Sequence, residues 1–192
     1  MDKIGKLAMV ALAVLLCLPV RADAPEGWRI AGSRPADFEF GTDTHVVHAG
    51  STGSGFIRRV NGSSPGFGTL MQLFNAGNYR GTRVRLSAYL KTERAQRGQM
   101  WLRIDGPGDQ VLGFDNMDSR PITNTADWRR YEIVLDVPQT ATSIAFGFFL
   151  SGSGTVWADD FKLERVDASV PRTIGDNGAR LDEPRNLNFD SK

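Results

Sequence analysis

Three side chains of the stretch MWLRID have a spacing that suits the grip of a sugar ring. Trp101, Arg103 and Asp105 stand two apart, and in an extended strand such residues project from one face. An aromatic plate packs against the C–H face of a pyranose, while fork-like polar groups bond its hydroxyls. In the upstream stretch RVRLSAYLK, Arg85, Ser87 and Tyr89 share that phase and extend the surface if the two strands are neighbours. Asn116, beside Asp115 in GFDNMDSRPI, ends a strand and joins the set, although turn capping accounts for both. Ala145 and Gly147, on the small-residue face of SIAFGFFL, leave room for a ligand. The same residues equally suit a solvent-facing sheet laced with cross-strand ion pairs.

Catalytic chemistry has little to stand on. The histidines are His45 and His48, and in a strand their spacing turns the rings to opposite sides. No nucleophile elbow, phosphate loop or zinc signature is present. Glycoside cleavage needs two carboxylates at a set distance, and nothing in the sequence places a second one opposite Asp105. The expectation is a protein that is not an enzyme.

The elements that position these residues alternate at period two, and no stretch repeats apolar residues at helical spacing. Val84, Leu86, Ala88 and Leu90 share a face, as do Met100, Leu102 and Ile104. Tyr131, Ile133, Leu135 and Val137 make another apolar face, and Ile144, Phe146, Phe148 and Leu150 a fourth. In VWADDFKLE the same rule groups Trp157, Asp159, Phe161 and Leu163 and points Asp159 inward. A buried carboxylate is costly unless it is paired or metal-bound. FEF, HVV and TLMQLF read as further strands, DGPGDQ as a turn and SGSGT as a hairpin loop. This pattern predicts an all-β fold, an antiparallel two-sheet β-sandwich.

The ends read differently. Two lysines precede the apolar run LAMVALAVLLCLPV, and Ala22 closes a small-x-small site. Residues 1–22 are expected to be a secretory signal, too short for a membrane span, which places the protein in the periplasm or outside the cell. Cys17, the single cysteine, leaves with it, so the mature chain forms no disulfide. A formal net charge of +1 offers no field to gather nucleic acid. Residues 23–166 form the sandwich and 167–183 a polar linker.

The stretch ADWRRYEIVLDVPQTATSIAFGFFLSGSGTVWADDFKLERV resembles the C-terminal half of jelly-roll carbohydrate-binding modules with the galactose-binding-like fold. GWRIAGSRPADFEFGTDTHVVHAG and RVRLSAYLKTE resemble their first half. The resemblance implies a non-catalytic module that binds a polysaccharide or other glycan. It also implies that Asp159 helps to hold a structural calcium, an ion that takes six to eight oxygens. A strand-end acid paired with an arginine or with backbone N–H groups is the plainer account of Asp159. A protein-interaction or structural module without a sugar is the alternative function, and a glycan-active enzyme the remote one.

Such modules open with a segment like N-x-x-F-E, which the chain lacks before Gly27-Trp28 but carries as NLNFD at 186–190. Residues 184–192 are therefore expected to add a strand, with Leu187 and Phe189 buried and Asp190 near Asp159. The same strand, given to a neighbour, would make a strand-swapped homo-oligomer. A solvated tail is the alternative.

Overall fold

The computed structural model describes residues 24–62 and 65–173. The expected signal at 1–22 and the expected strand carrying Leu187, Phe189 and Asp190 lie outside the described residues. Within them the chain forms nine strands and no α-helix. They are β1 (Arg29–Gly32), β2 (Phe38–Asp43), β3 (Ser54–Arg59), β4 (Phe67–Asn75), β5 (Thr82–Asp105), β6 (Val111–Asp115), β7 (Ile122–Val137), β8 (Ser143–Ser151) and β9 (Thr155–Val166).

All pairings are antiparallel, and β5 belongs to two sheets. Its first half, from Thr82 to Glu93, lies between β7 and β9. Its second half, from Arg97 to Asp105, lies between β8 and β6. One sheet therefore runs β1-β4-β8-β5-β6 and the other β2-β3-β9-β5-β7. The fold is an antiparallel two-sheet sandwich, as the alternation predicts.

Between the sheets sits an apolar core that matches the predicted faces. Leu86, Leu90, Met100, Leu102, Ile104, Ile133, Ile144 and Leu150 are fully buried. Trp28 closes one side, edge-on to Phe146 and Phe148 at 5.8 and 6.1 Å and tilted on Phe161 at 5.2 Å. Burying such side chains stabilises by about 1.5–3 kcal/mol each.

Three local readings fail for identifiable reasons. HVV is not a strand: the Asp43 carboxylate accepts the His45 and Val46 N–H groups at 2.9 and 3.0 Å and folds the segment into a turn. SGSGT is not a hairpin loop either. Its flanking strands do not pair with each other but lie in opposite sheets, beside Arg97 and beside Glu93 of β5. The loop crosses over the bend of β5, where Gln96 N–H donates to Ser153 O at 2.9 Å.

The third correction concerns β9. Ser87 pairs with Lys162 while Tyr89 pairs with Asp159, so β9 spends three residues where β5 spends two. This bulge, with Asp160 at φ 53°, shifts the phase of the strand by one. Val156 and Ala158 face the core above it, and Phe161 and Leu163 below it. Trp157 and Asp159 therefore point outward, away from the face they were expected to share.

The start of the predicted linker is also tied down. Arg83 Nη1 donates to Ala168 O and Val170 O at 2.6 and 2.7 Å, and Thr173 N–H donates to Val134 O at 3.1 Å.

Gly154 is the position most sensitive to a side chain. It sits at φ +95°, and an added Cβ would lie 2.3 Å from Arg94 O and 2.5 Å from Ala95 Cα. Gly154→Ala is expected to destabilise by about 2–4 kcal/mol, combining left-handed strain with a backbone clash. Urea unfolding measures it, and an unchanged midpoint would mean that the loop does not pack on the β5 bend.

Candidate functional site

On β5 the even-numbered residues from 100 to 104 enter the core, so the odd-numbered ones face away from it. Arg97, Gln99, Trp101 and Arg103 thereby line the floor of an open cleft of about 610 Å³ across the outer face of the β1-β4-β8-β5-β6 sheet. Strand pairing supplies the rest: Met71 from β4, Phe149 from β8, and Asn116 just beyond β6.

Trp101 is not an exposed plate. It retains only 9% of its surface, and its Nε1–H donates to Thr69 Oγ1 on β4 at 3.0 Å. To reach β4 the indole must cross β8, and its direct partner there is Gly147. The space expected for a ligand over Gly147 is thus taken by the indole, and Ala145 is fully buried. A Cβ at Gly147 would also come within 2.1 Å of Leu70 O.

The exposed rings lie at the margins. Phe114, on β6, is 43% exposed, and Phe67, on β4, is 38% exposed. Phe67 is braced edge-on by Phe149 at 5.7 Å. Arg97 Nη2 donates to Asp118 Oδ1 at 2.6 Å, and Gln99 Nε2 to Asn116 O at 2.7 Å. Asn116 both caps a turn, accepting Asp118 N–H at 3.0 Å, and lines the cleft.

The wall that carries Asn116 is anchored by Asp115. Its carboxylate accepts Arg120 Nη2 at 2.7 Å, Thr173 Oγ1–H at 2.6 Å and Met117 N–H at 2.8 Å. Burial alone would raise this carboxyl, but the bonds from Arg120, Thr173 and Met117 outweigh it and hold it below the usual carboxylate range.

The predicted sugar-binding residues are split by the structure. Trp101, Arg103 and Asn116 meet in the cleft. Asp105 is buried beside it, and Arg103 Nε binds its Oδ1 at 2.9 Å. Tyr89 and Arg85 lie in a different hollow, on the outer face of the opposite sheet. Arg97 and Gln99 share the phase of Trp101 and were legible from alternation. Phe67 and Phe114 were not, because only strand pairing brings them to this face.

The described residues around Asp159 hold its carboxylate through hydrogen-bond donors. Its oxygens accept His48 N–H at 3.0 Å, Ser51 Oγ–H at 3.1 Å and Asp160 N–H at 2.8 Å. Donors already satisfy the carboxylate, and among the described residues no cluster of three metal-ligating side chains exists. Bonding to backbone N–H groups is the account that the geometry supports.

No protein-family model matches the chain. An uncharacterized HTH-type transcriptional regulator, YbfP, of Bacillus subtilis (strain 168) is 46% identical over 170 residues, 87% of this chain. The chain spans 57% of that protein's length. Among solved structures, the C-terminal family 22 carbohydrate-binding module of Clostridium thermocellum Xyn10B superposes with a TM-score of 0.53 at 12% identity, over 77% of this chain and 89% of that one. The enzymatically active domain of tailspike protein 4 from bacteriophage CBA120 gives 0.58 at 12% identity, over 73% of this chain and 20% of that one. These likenesses bear on fold alone. The fold is that of the jelly-roll carbohydrate-binding modules.

Two expectations follow. Trp101→Ala should unfold the protein more readily, by about 3–5 kcal/mol, because a buried indole leaves a cavity. A melting temperature equal to that of the parent would place the ring on the surface after all. The lowered Asp115 carboxyl contributes stability that is complete above the unfolded value near 3.9 and is lost as pH falls through the folded one. Asp115→Asn should therefore flatten the pH dependence of unfolding below about pH 4. An identical acid-unfolding profile would show that Asp115 is not the group that matters.

Proposed function

We propose that the chain is a non-catalytic module that binds a glycan along this cleft, outside the cytoplasm. The observation that carries the proposal is the placement of the two exposed phenylalanines. Phe67 aligns with Ser151 and Arg97, and Phe114 with Arg103, so they stand three strands and six residues apart. At ordinary strand spacing and rise, that separation is on the order of 20–25 Å. A single sugar cannot bridge it, whereas a chain of several can. Between them the Trp101 floor and the Arg97, Gln99, Arg103 and Asn116 groups offer apolar and hydrogen-bonding surface in alternation. The cleft of the Xyn10B family 22 module, described in connection with ligand binding, gives the reading a precedent in this fold. Secretion rests on the apolar run and the Ala22 site of the sequence.

A second reading comes from the Bacillus subtilis relative. In a transcriptional regulator a module of this kind would sense a soluble oligosaccharide rather than grip a polymer. Among the described residues there is no α-helix, so a helix-turn-helix would have to lie elsewhere.

Phe114→Ala and Phe67→Ala should each weaken glycan binding about tenfold, the scale of one lost aromatic contact. Both should leave stability within about 0.5 kcal/mol, as expected of exposed positions. Affinity electrophoresis against insoluble and soluble β-glycans, with calorimetry on oligosaccharides of increasing length, measures this. Affinity that rises with length and then levels off over several sugars supports the polymer reading. Equal affinity for a disaccharide supports the sensor. No binding to any glycan, or variants that bind like the parent, would remove the cleft as the site.

A further inference from the structure

The opposite sheet carries a second hollow on its outer face, and no residue of it belongs to the cleft. It encloses about 420 Å³ above Ser87 and is walled by His48, Tyr89, Arg85, Arg130 and Lys162. The wall is built rather than loose. The His48 ring stacks on Tyr89 at 3.7 Å and 16°, meets Trp128 edge-on at 5.9 Å, and holds Asp160 Oδ2 through Nδ1 at 2.7 Å. Its backbone N–H is fixed by Asp159, so the outward turn of that carboxylate at the β9 bulge serves to pin the wall.

The charged groups around the hollow are unevenly engaged. Three cations, Arg85, Arg130 and Lys162, face it against two acids, Asp160 and Glu164. Asp160 is engaged by His48, and Glu164 accepts Arg85 Nη2 at 3.2 Å. Arg130 is paired with Glu132, which also lies 3.9 Å from Arg85 Nη1. Lys162 has no ion pair among the described residues, and Arg85 Nε is buried without a hydrogen-bond partner. An under-satisfied guanidinium beside an unpaired ammonium gains most from a compact acceptor with several oxygens.

We infer that this hollow binds a carboxylate or sulfate group, held by Lys162 and Arg85 over the Ser87 floor. The group reaches the site either as a free oxyanion or as the acidic substituent of a sugar. Because the hollow and the cleft lie on opposite faces, a single chain can hold a neutral glycan and an acidic group at once.

The test is a two-dimensional ¹H–¹⁵N NMR titration of the full chain at constant ionic strength, using sodium sulfate, digalacturonate, and sodium chloride as control. Saturable shifts at the Ser87, Tyr89 and Lys162 amides are expected with sulfate and digalacturonate. Lys162→Met should weaken them about fivefold, the scale of one exposed charge pair, and Arg85→Gln should do likewise. Tighter binding of digalacturonate identifies an acidic sugar as the source, and equal binding a free oxyanion. Phe114→Ala should leave these shifts unchanged, which separates this site from the cleft. No saturable shift with either anion, an equal response to chloride, or full affinity in Lys162→Met would overturn the assignment.

Discussion

A single strand must leave one sheet and enter the other, and the rest of the architecture follows from how β5 does so. Its pairing with β7 slips at Leu90, Thr92 and Ala95, and Arg94 takes a left-handed φ of 48°. These irregularities turn the strand through the corner of the sandwich. Both halves keep even-numbered residues inward, so the core faces of 84–90 and 100–104 meet across the interior. Odd-numbered residues point away from the core in both halves, which means in opposite directions in space. Tyr89 and Trp101 thus share a phase without sharing a surface. One strand furnishes the floor of the cleft and a wall of the second hollow.

The bulge in β9 is the complementary irregularity. Strict alternation would have placed a carboxylate between Trp157 and Phe161 on the core side, a costly arrangement in the absence of partners. By spending one additional residue at Asp160, the strand sends Asp159 outward to three donors while Phe161 still reaches Trp28. The residue that absorbs the backbone strain also receives the His48 ring. Relief of a buried charge and construction of a rigid wall are the same local event.

Alternation made most of the fold legible. Leu86, Met100, Ile133, Ile144 and Phe148 could be assigned to the core because a period-two signal survives wherever one face is buried. What it could not reveal was any place where the period breaks. A bulge is invisible to a pattern that assumes none, so the phase of β9 above Asp160, at Trp157 and Asp159, was misread. A loop as short as SGSG reads as a hairpin even when it joins two sheets. For the site, residues on one strand were found together and residues on different strands were not. Trp101 and Arg103 were recognised, while Phe67 and Phe114 depended on pairings that no local stretch encodes. The exposure of Trp101 was misjudged for the same reason, since its cover comes from Thr69 on β4.

The crossing of residues 152–154 over the bend of β5 also governs the order in which the molecule can assemble. β8 and β9 are adjacent in sequence, yet they share no ladder and each gains hydrogen bonds only against strands made earlier in the chain. A local hairpin cannot nucleate the C-terminal third, and loop closure over distant segments must come first. The last two described strands, β8 and β9, both complete their ladders on β5. A ribosome-bound or translocating intermediate that ends before residue 143 would therefore present one flank of β5, the one that β8 and β9 later cover, as a bare edge.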